Sequence, residues 1–368
     1  MFSCFGQTAE DSLAVTFANK LQKSLYNEDL EYFSKVFNDS VFYSYFIIED
    51  STNYDLRSFN RGFKNEQAFI SFASELINNI NHGYYYNLVN YSDDESGNYY
   101  LLYRLFGENG LNYHEYYIEP DTEGNFYIAD IYNYLTGEYL SETFKSIYIP
   151  FASTYLNESD AGEKNLNLAS LTTLEKIKDL IAAEKIEEAR EIFNRDLPPS
   201  IKKEKISMIY ELQLLDFNDT LAYNALLDTL LGKSQRKTSV FLISMDKFFI
   251  AGNYNKMLEV IDSLNFYVND DFLDLYRGNA YYAAGEIEMA ITYFEKLAIK
   301  FSSLPEAYES LLTLYNETLQ VSKFVEVLDM IHLNLDMDYL TLVEIVEKEY
   351  PDTAKDSVFK SWQASKFP

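Results

Sequence analysis

The sequence predicts two folded parts, an α+β domain followed by an all-helical array of short hairpins. Three observations predict it. The hydrophobic period drops from the helical 3.6 to the strand value of 2 after Gly83, and it is helical again from about Asn165 onward. Of the 33 tyrosines, 20 fall in residues 1–150, and aromatic enrichment of that kind suits strands better than helices. Residues 273–336 match themselves at an offset of 34, the mark of a repeated pair of helices.

Taken in order, residues 1–8 are expected to be disordered or the remnant of a signal segment. The apolar scrap ending at Gly6 resembles the tail of a signal peptide, although a basic start and a longer apolar run are missing. Export to a periplasmic or outer compartment is the expectation, with a cytoplasmic protein as the alternative. An α+β domain spans 9–150. Ala14, Phe17, Leu21 and Leu25 make one helical stripe; Leu30, Phe33, Val36 and Phe37 make the next, with Asn27 as its N-cap. "SVFYSYFIIE" (40–49) reads as a strand. "NEQAFISFASELINNI" (65–80) reads as a helix, with Phe69, Phe72, Ala73, Leu76 and Ile77 on one face. Four strands follow: "GYYYNLVNY", "NYYLLYRLF", "LNYHEYYIE" and "NFYIADIYNYL". Between them lie "SDDESG", "GENG" and "PDTEG", and Asn109-Gly110 is a strong hairpin signal. Residues 151–168 are a polar linker, and 169–368 are helical.

Composition narrows the function. Across 368 residues, 47% hydrophobic content can bury a core. The net charge of −28 is spread along the chain: 8 basic against 22 acidic residues in 1–150, and 22 against 36 in 151–368. Nucleic-acid binding draws its non-specific affinity from Lys and Arg on phosphates, so that class is excluded, and anionic lipid surfaces with it. No apolar run has the length of a transmembrane helix. A single cysteine, Cys4, allows neither an intrachain disulfide nor a thiolate zinc site. A partner with a basic or amphipathic face fits this charge. Oligomeric state is not legible.

Within the helical part, Asp274, Gly278, Tyr281, Ala290, Phe294 and Leu297 are followed 34 residues later by Tyr308, Leu312, Tyr315, Phe324, Leu328 and Ile331. Small residues at Gly278 and Ala290 let paired helices approach, and Tyr281 and Phe294 are expected to fill the gap to the next pair. "GNAYYAAGEIEMAITYFEKLA" (278–298) resembles a tetratricopeptide (TPR) repeat, with Gly278, Tyr281, Gly285, Ala290 and Phe294 at that family's positions. Asp274 and Arg277 depart from its Trp and Leu. "LIAAEKIEEAREIF" is a weaker unit, in which Ala189 and Phe193 stand for Ala290 and Phe294. Val358, Phe359 and Trp362 share one face of a closing helix, and Trp362 is expected to be core. The order helix–helix–strand–helix–four strands over 9–148 is similar to the nuclear transport factor 2-like (NTF2-like) fold, a curved sheet around helices with a cone-shaped cavity.

Alternation puts Asn112, His114 and Tyr116 on one face of their strand. It also gives Asp130 a face in common with Phe126, Ile128 and Tyr132. The NTF2-like resemblance implies a cavity that holds a small molecule or catalyses a proton transfer of isomerase or dehydratase type; Asp130 or His114 would then be the base. His82 sits at a helix end before Gly83, and His332 lies inside a repeat; no histidines fall at ligand spacing. No nucleophile elbow, phosphate loop, dinucleotide fingerprint or EF-hand pattern occurs. Asp93-Asp94-Glu95 reads as a solvated loop. Neither a cofactor nor a metal is implied.

The TPR resemblance implies a groove lined by the first helix of each pair: Leu242, Asp246 and Phe249, then Leu275, Asn279 and Tyr282, then Glu306, Glu309, Thr313 and Asn316. Asn279 matches the Asn of the family's carboxylate clamp, but Leu275, Glu306 and Ser310 occupy its basic positions, so no such clamp is expected. The leading expectation is therefore a non-enzymatic scaffold whose groove holds a basic or amphipathic segment.

Overall fold

A computed structural model describes residues 9–65, 68–94, 96, 98–108, 110–156, 168–183, 185–215, 220–233 and 238–367. The N-terminal signal-like segment, most of the polar linker, and Glu95 and Asn109 lie outside the described residues. The chain divides into two compact units, Met1–Ser244 and Met245–Pro368. An α+β part with a five-stranded antiparallel sheet is followed by a helical region.

The first unit opens with α1 (Ala9–Tyr26), α2 (Leu30–Val36), α3 (Asp39–Ser44), α4 (Tyr54–Asn65) and α5 (Ala68–Asn81). The α1–α2 turn places Glu28 at φ +57°, and Asp29 caps α2 by accepting from the Tyr32 N–H at 2.9 Å. The cap is thus Asp29 and not Asn27, because the chain must reverse through Glu28 first. The strand expected at 40–49 is also corrected. Asn38 accepts from the Val41 N–H at 3.1 Å and starts α3, and Phe42 and Phe46, four apart, both enter the core. Aromatic content reads as strand, but the i, i+4 spacing decided the backbone. Just before α3, Phe37 forms an isolated parallel bridge to Ile128, and the Asn38 N–H donates to the Ile128 carbonyl at 2.9 Å. Helix α4 occupies a stretch that the sequence reading assigns to no element.

Strands β1 (Tyr85–Asp93), β2 (Tyr99–Gly107), β3 (Gly110–Pro120), β4 (Phe126–Asn133) and β5 (Glu138–Tyr139) pair in simple sequence order. The β1–β2 and β3–β4 loops share one device. Asp94 accepts from the N–H groups of Ser96 and Asn98, and Asp121 from those of Glu123 and Asn125. The β2–β3 hairpin closes on the Gly107–Gly110 pair, with Gly110 at φ +90°. Helix α6 (Leu140–Ala152) completes this part. The helix-facing side of the sheet is filled: Tyr86, Tyr103, Tyr116, Phe33, Phe42 and Tyr148 are fully buried there. Their hydroxyls are accounted for, as burial demands. Tyr103 donates to the Ala18 carbonyl at 2.8 Å, Tyr86 to Tyr116 at 3.0 Å, and Tyr148 to Asn60 Oδ1 at 2.8 Å.

Helices α7 (Leu168–Ala182) and α8 (Ile186–Asp196) bury Ile177, Ala189 and Phe193 together. After α9 (Pro199–Lys202), helices α10 (Lys205–Leu214), α11 (Thr220–Lys233) and the first part of α12 (Thr238–Ile250) form a further cluster around Met208, Leu230 and Val240. Lys205 ties α10 to the sheet part. Its Nζ donates to the Gly137 carbonyl at 2.6 Å and lies 3.9 Å from Glu138.

The second unit continues from α12 through α13 (Tyr254–Val268), α14 (Asp274–Ala283), α15 (Ile287–Lys300), α16 (Pro305–Glu317), α17 (Val321–Leu335), α18 (Tyr339–Glu349) and α19 (Ser357–Lys366). One turn recurs three times. Asn253 donates to the Phe248 carbonyl, Glu286 to Tyr281 and Gln320 to Tyr315, at 2.8, 2.9 and 2.8 Å. In each, the preceding residue is left-handed: Gly252 (φ +68°), Gly285 (+78°) and Leu319 (+55°). Between α14 and α15, a Cβ added to Gly278 would sit 2.7 Å from the Phe294 ring. Phe294 therefore fills space inside its own hairpin, and Tyr281 stacks on Tyr293 with centroids 5.4 Å apart. This differs from the expected gap-filling between pairs; the absent side chain of Gly278 makes the room. In the α16–α17 hairpin, Leu312 and Leu328 replace Gly278 and Phe294, and both are buried. Trp362 is buried against α17, its Nε1 donating to Asp329 at 3.0 Å. Among the described residues, no helix is long and apolar enough to cross a membrane.

Candidate functional site

Asp130 and His114 lie on opposite faces of the sheet. Their strands pair Tyr116 with Ile131 and Tyr117 with Asp130, but then Ile118 with Ile128, leaving Ala129 as a bulge. One extra residue reverses the alternation. Ile128 and Ile131 both face the helices, whereas Asp130 points to the other side with Tyr117. The expected common face of Asp130 with Phe126 and Ile128 is thus corrected.

At that position Asp130 meets the first turn of α6. Its Oδ2 accepts from the Ser141 hydroxyl at 2.5 Å, and its Oδ1 from the Ser141 and Ile131 N–H groups at 3.2 and 2.8 Å. Glu142 turns back to accept from the Tyr139 N–H at 3.0 Å. The two carboxylates satisfy N–H groups at a helix start, where negative charge is favoured. Burial pushes the Asp130 carboxyl up to about 6, against the lowering effect of its hydrogen bonds to Ser141 and Ile131.

Beside Asp130 is an open cleft of about 360 Å³. Tyr45, Tyr100, Tyr117 and Tyr139 line it, with Ser141 and Glu142 at the helix start and exposed Lys145 one turn on. The field there is negative. Tyr45 is pushed up to about 12, first by burial and then by Glu119 and Asp130. Tyr117 is raised by burial, by a hydrogen bond to Glu119, and by the charges of Glu119 and Asp94.

His114 is enclosed on the helix side. Asn112 Nδ2 lies 3.2 Å from its Nε2, and the Tyr86 hydroxyl 3.3 Å from its Nδ1. The Phe72 ring stands edge-on at 5.1 Å. With Nε2 accepting from the amide, Nδ1 carries the proton and donates to Tyr86, which in turn donates to Tyr116. Burial drives the imidazole down to about 3, so it is neutral throughout the physiological range. It shares no cleft with Asp130, and the two do not form an acid–base pair.

The groove residues divide by burial. Leu242, in the first unit, and Leu275, in the second, are 4% and 5% exposed, so they serve packing and offer nothing to a partner. Asp246, Phe249, Tyr282 and Glu309 are exposed, and Asn279 and Glu306 are half-buried. Asn316 accepts from the Thr353 hydroxyl at 2.7 Å and is covered by it. The Tyr282 hydroxyl donates to Glu317 at 2.8 Å, joining α14 to α16. Helix α16 carries Glu306, Glu309 and Glu317 and no Lys or Arg. His82 Nδ1 contacts the Asn78 carbonyl at 2.7 Å at the end of α5, and His332 stacks on Tyr339. Among the described residues, no group of three or more His, Cys, Asp or Glu side chains is placed to hold a metal ion.

Comparison with protein-family models, curated proteins and solved structures finds no match for this chain. Function must therefore be argued from the two surfaces just described. The tyrosine cleft is not legible in the sequence because its residues come from five elements, β2 to β5 and α6, and from Tyr45 just after α3. Its one local signal was the pattern Tyr139-x-x-Glu142, a carboxylate at the third position of a helix start.

Proposed function

We propose that the helical region is a solenoid of TPR-like hairpins and that this protein is a non-enzymatic scaffold. The groove face of α14 and α16 holds a basic, amphipathic segment of a partner. One observation carries the reading: Tyr282 bridges to Glu317, so an aromatic ring and three glutamates form one face on which α16 has no cation. The unit around it reinforces the sign, with 21 acidic against 10 basic residues over 245–368. Such a face attracts Lys and Arg over distance and offers Tyr282 to an apolar side chain.

The test is calorimetric titration of the full chain with a Lys/Leu amphipathic helical peptide, alongside a Glu/Leu peptide of the same pattern. Saturable binding of the basic peptide is expected, weakened about tenfold or more by the pair Glu306→Lys and Glu309→Lys. It should also weaken as salt is added. Equal binding of both peptides, or no effect of the charge reversal, contradicts the reading.

A further inference from the structure

The tyrosine-lined cleft belongs to the first unit, and the hairpin face to the second. We propose that it binds an organic cation, an alkylammonium or alkylguanidinium group, held between tyrosine rings and carboxylates.

Size, lining and charge converge on that class. About 360 Å³ is room for roughly a dozen waters, at the small end of the range for ligand pockets. Half of the lining residues are aromatic. Four tyrosines line it, and Tyr100 and Tyr117 stack with centroids 5.2 Å apart. A ring face attracts a cation through its quadrupole, most strongly where water is thinned out. Carboxylates outnumber cations: Asp130 and Glu142 line the cleft, Glu119 and Asp94 act on Tyr117, and Lys145 is the one cation among the lining residues.

The obvious rival is an anion at the start of α6, where a helix exposes N–H groups. That rival is weakened within the chain itself. The Ser141 N–H is taken by Asp130, and Glu142 accepts from the Tyr139 N–H. Two carboxylates already stand where an anion would sit. A weakly hydrated cation is favoured over a small hard one, because the ring faces reward a group that sheds water cheaply.

The experiment uses the full chain with ¹³C-labelled tyrosine rings, observed by NMR at constant ionic strength. Tetramethylammonium and butylguanidinium are titrated against their neutral counterparts, tert-butanol and butylurea. Saturable shifts at cleft tyrosines are expected with both cations, and binding about tenfold weaker with the neutral molecules. Tyr117→Leu should lose about tenfold in affinity, while Tyr117→Phe keeps the ring face and most of the binding. Glu142→Gln, checked for an unchanged amide spectrum, provides a second route if the leucine variant is unstable. Butylammonium compared with Nα-acetyl-lysine amide, whose side-chain ammonium is free, separates a free amine from a partner's side chain, and saturation by either sustains the proposal. Equal binding of the neutral molecules, saturation of the same rings by acetate or calcium, or no saturation by any cation overturns it. Loss of peptide binding in the glutamate-reversed variant would leave this result untouched.

Discussion

The sheet part (9–156) and the hairpins of α14–α17 (274–335) bury different things. The sheet part encloses Ser24, Asn60, Arg104, His114, Asp130 and Ser141, whereas between 274 and 335 the buried side chains are apolar or tyrosine. Contacts differ in reach as well. Tyr148 bonds to Ile48, 100 residues away, while Gly278 meets Phe294 sixteen residues on. The sheet part spends its polar groups inside, fixing one helix to one strand. The hairpins bury no charged side chain fully and keep Glu309 and Tyr282 exposed, where a partner can use them. Interior chemistry should therefore make the sheet part sensitive to pH, and interior volume should govern the hairpins.

The largest effect is expected from volume. Gly278→Leu drives a side chain into the Phe294 ring and should cost about 3 kcal/mol, the upper end for overpacking. Adding Phe294→Leu recreates the Leu312–Leu328 pair of the next hairpin, and most of the loss should return. Urea unfolding followed by Trp362, the single tryptophan, reads this unit directly. A stable single variant, or a double variant no better than the single, would mean that the two hairpins do not share a packing rule.

The next effect is pH dependence in the sheet part. Asp130 sits at about 6 in the fold against 3.8 for a free aspartate, so its burial favours folding below pH 4, and that contribution is lost as pH rises through 6. His114 runs the other way. Its neutral form is buried, so its contribution is present above pH 6.5 and lost as pH falls toward 3. Asp130→Asn should thus make stability climb more steeply between pH 4 and 6, by up to about 2 kcal/mol. His114→Gln should flatten the climb. Identical pH profiles for both variants and the parent would remove the contrast between the two regions.

The smallest effect concerns the recurring turn. Leu319 takes the left-handed conformation that Gly252 and Gly285 supply elsewhere, and it is 83% exposed. Leu319→Gly should stabilise by about 0.5–1 kcal/mol, the relief of strain less the entropy cost of glycine. Gly285→Leu should destabilise by a similar amount, both seen as shifts in the urea midpoint.

Several of these features are legible in the sequence itself. Period-2 runs marked β1 to β4, because alternation survives wherever one face is covered. Gly278, Ala290 and Phe294 stood out through the 34-residue offset, since stacking constrains the same positions in each copy. Residues 40–49 were misread because aromatic content speaks for strands, while the deciding feature was a cap at Asn38 with Phe42 and Phe46 spaced as in a helix. Asp130 was placed on the wrong face because a bulge at Ala129 adds one residue that periodicity cannot register. Its bond to Ser141 was invisible for another reason: it depends on where α6 returns to the sheet. Leu242 and Leu275 looked like groove residues because their helices have apolar residues on more than one side, and burial alone separates core from surface.

The central claim is that the α14–α16 face receives a basic segment. Hydrogen–deuterium exchange of the full chain with and without the Lys/Leu peptide tests it most directly. The account predicts slowed exchange over Asp274–Ala283 and Pro305–Glu317, with the sheet strands unchanged. Protection confined to α13, α15 or α17, or none at saturating peptide, would contradict it.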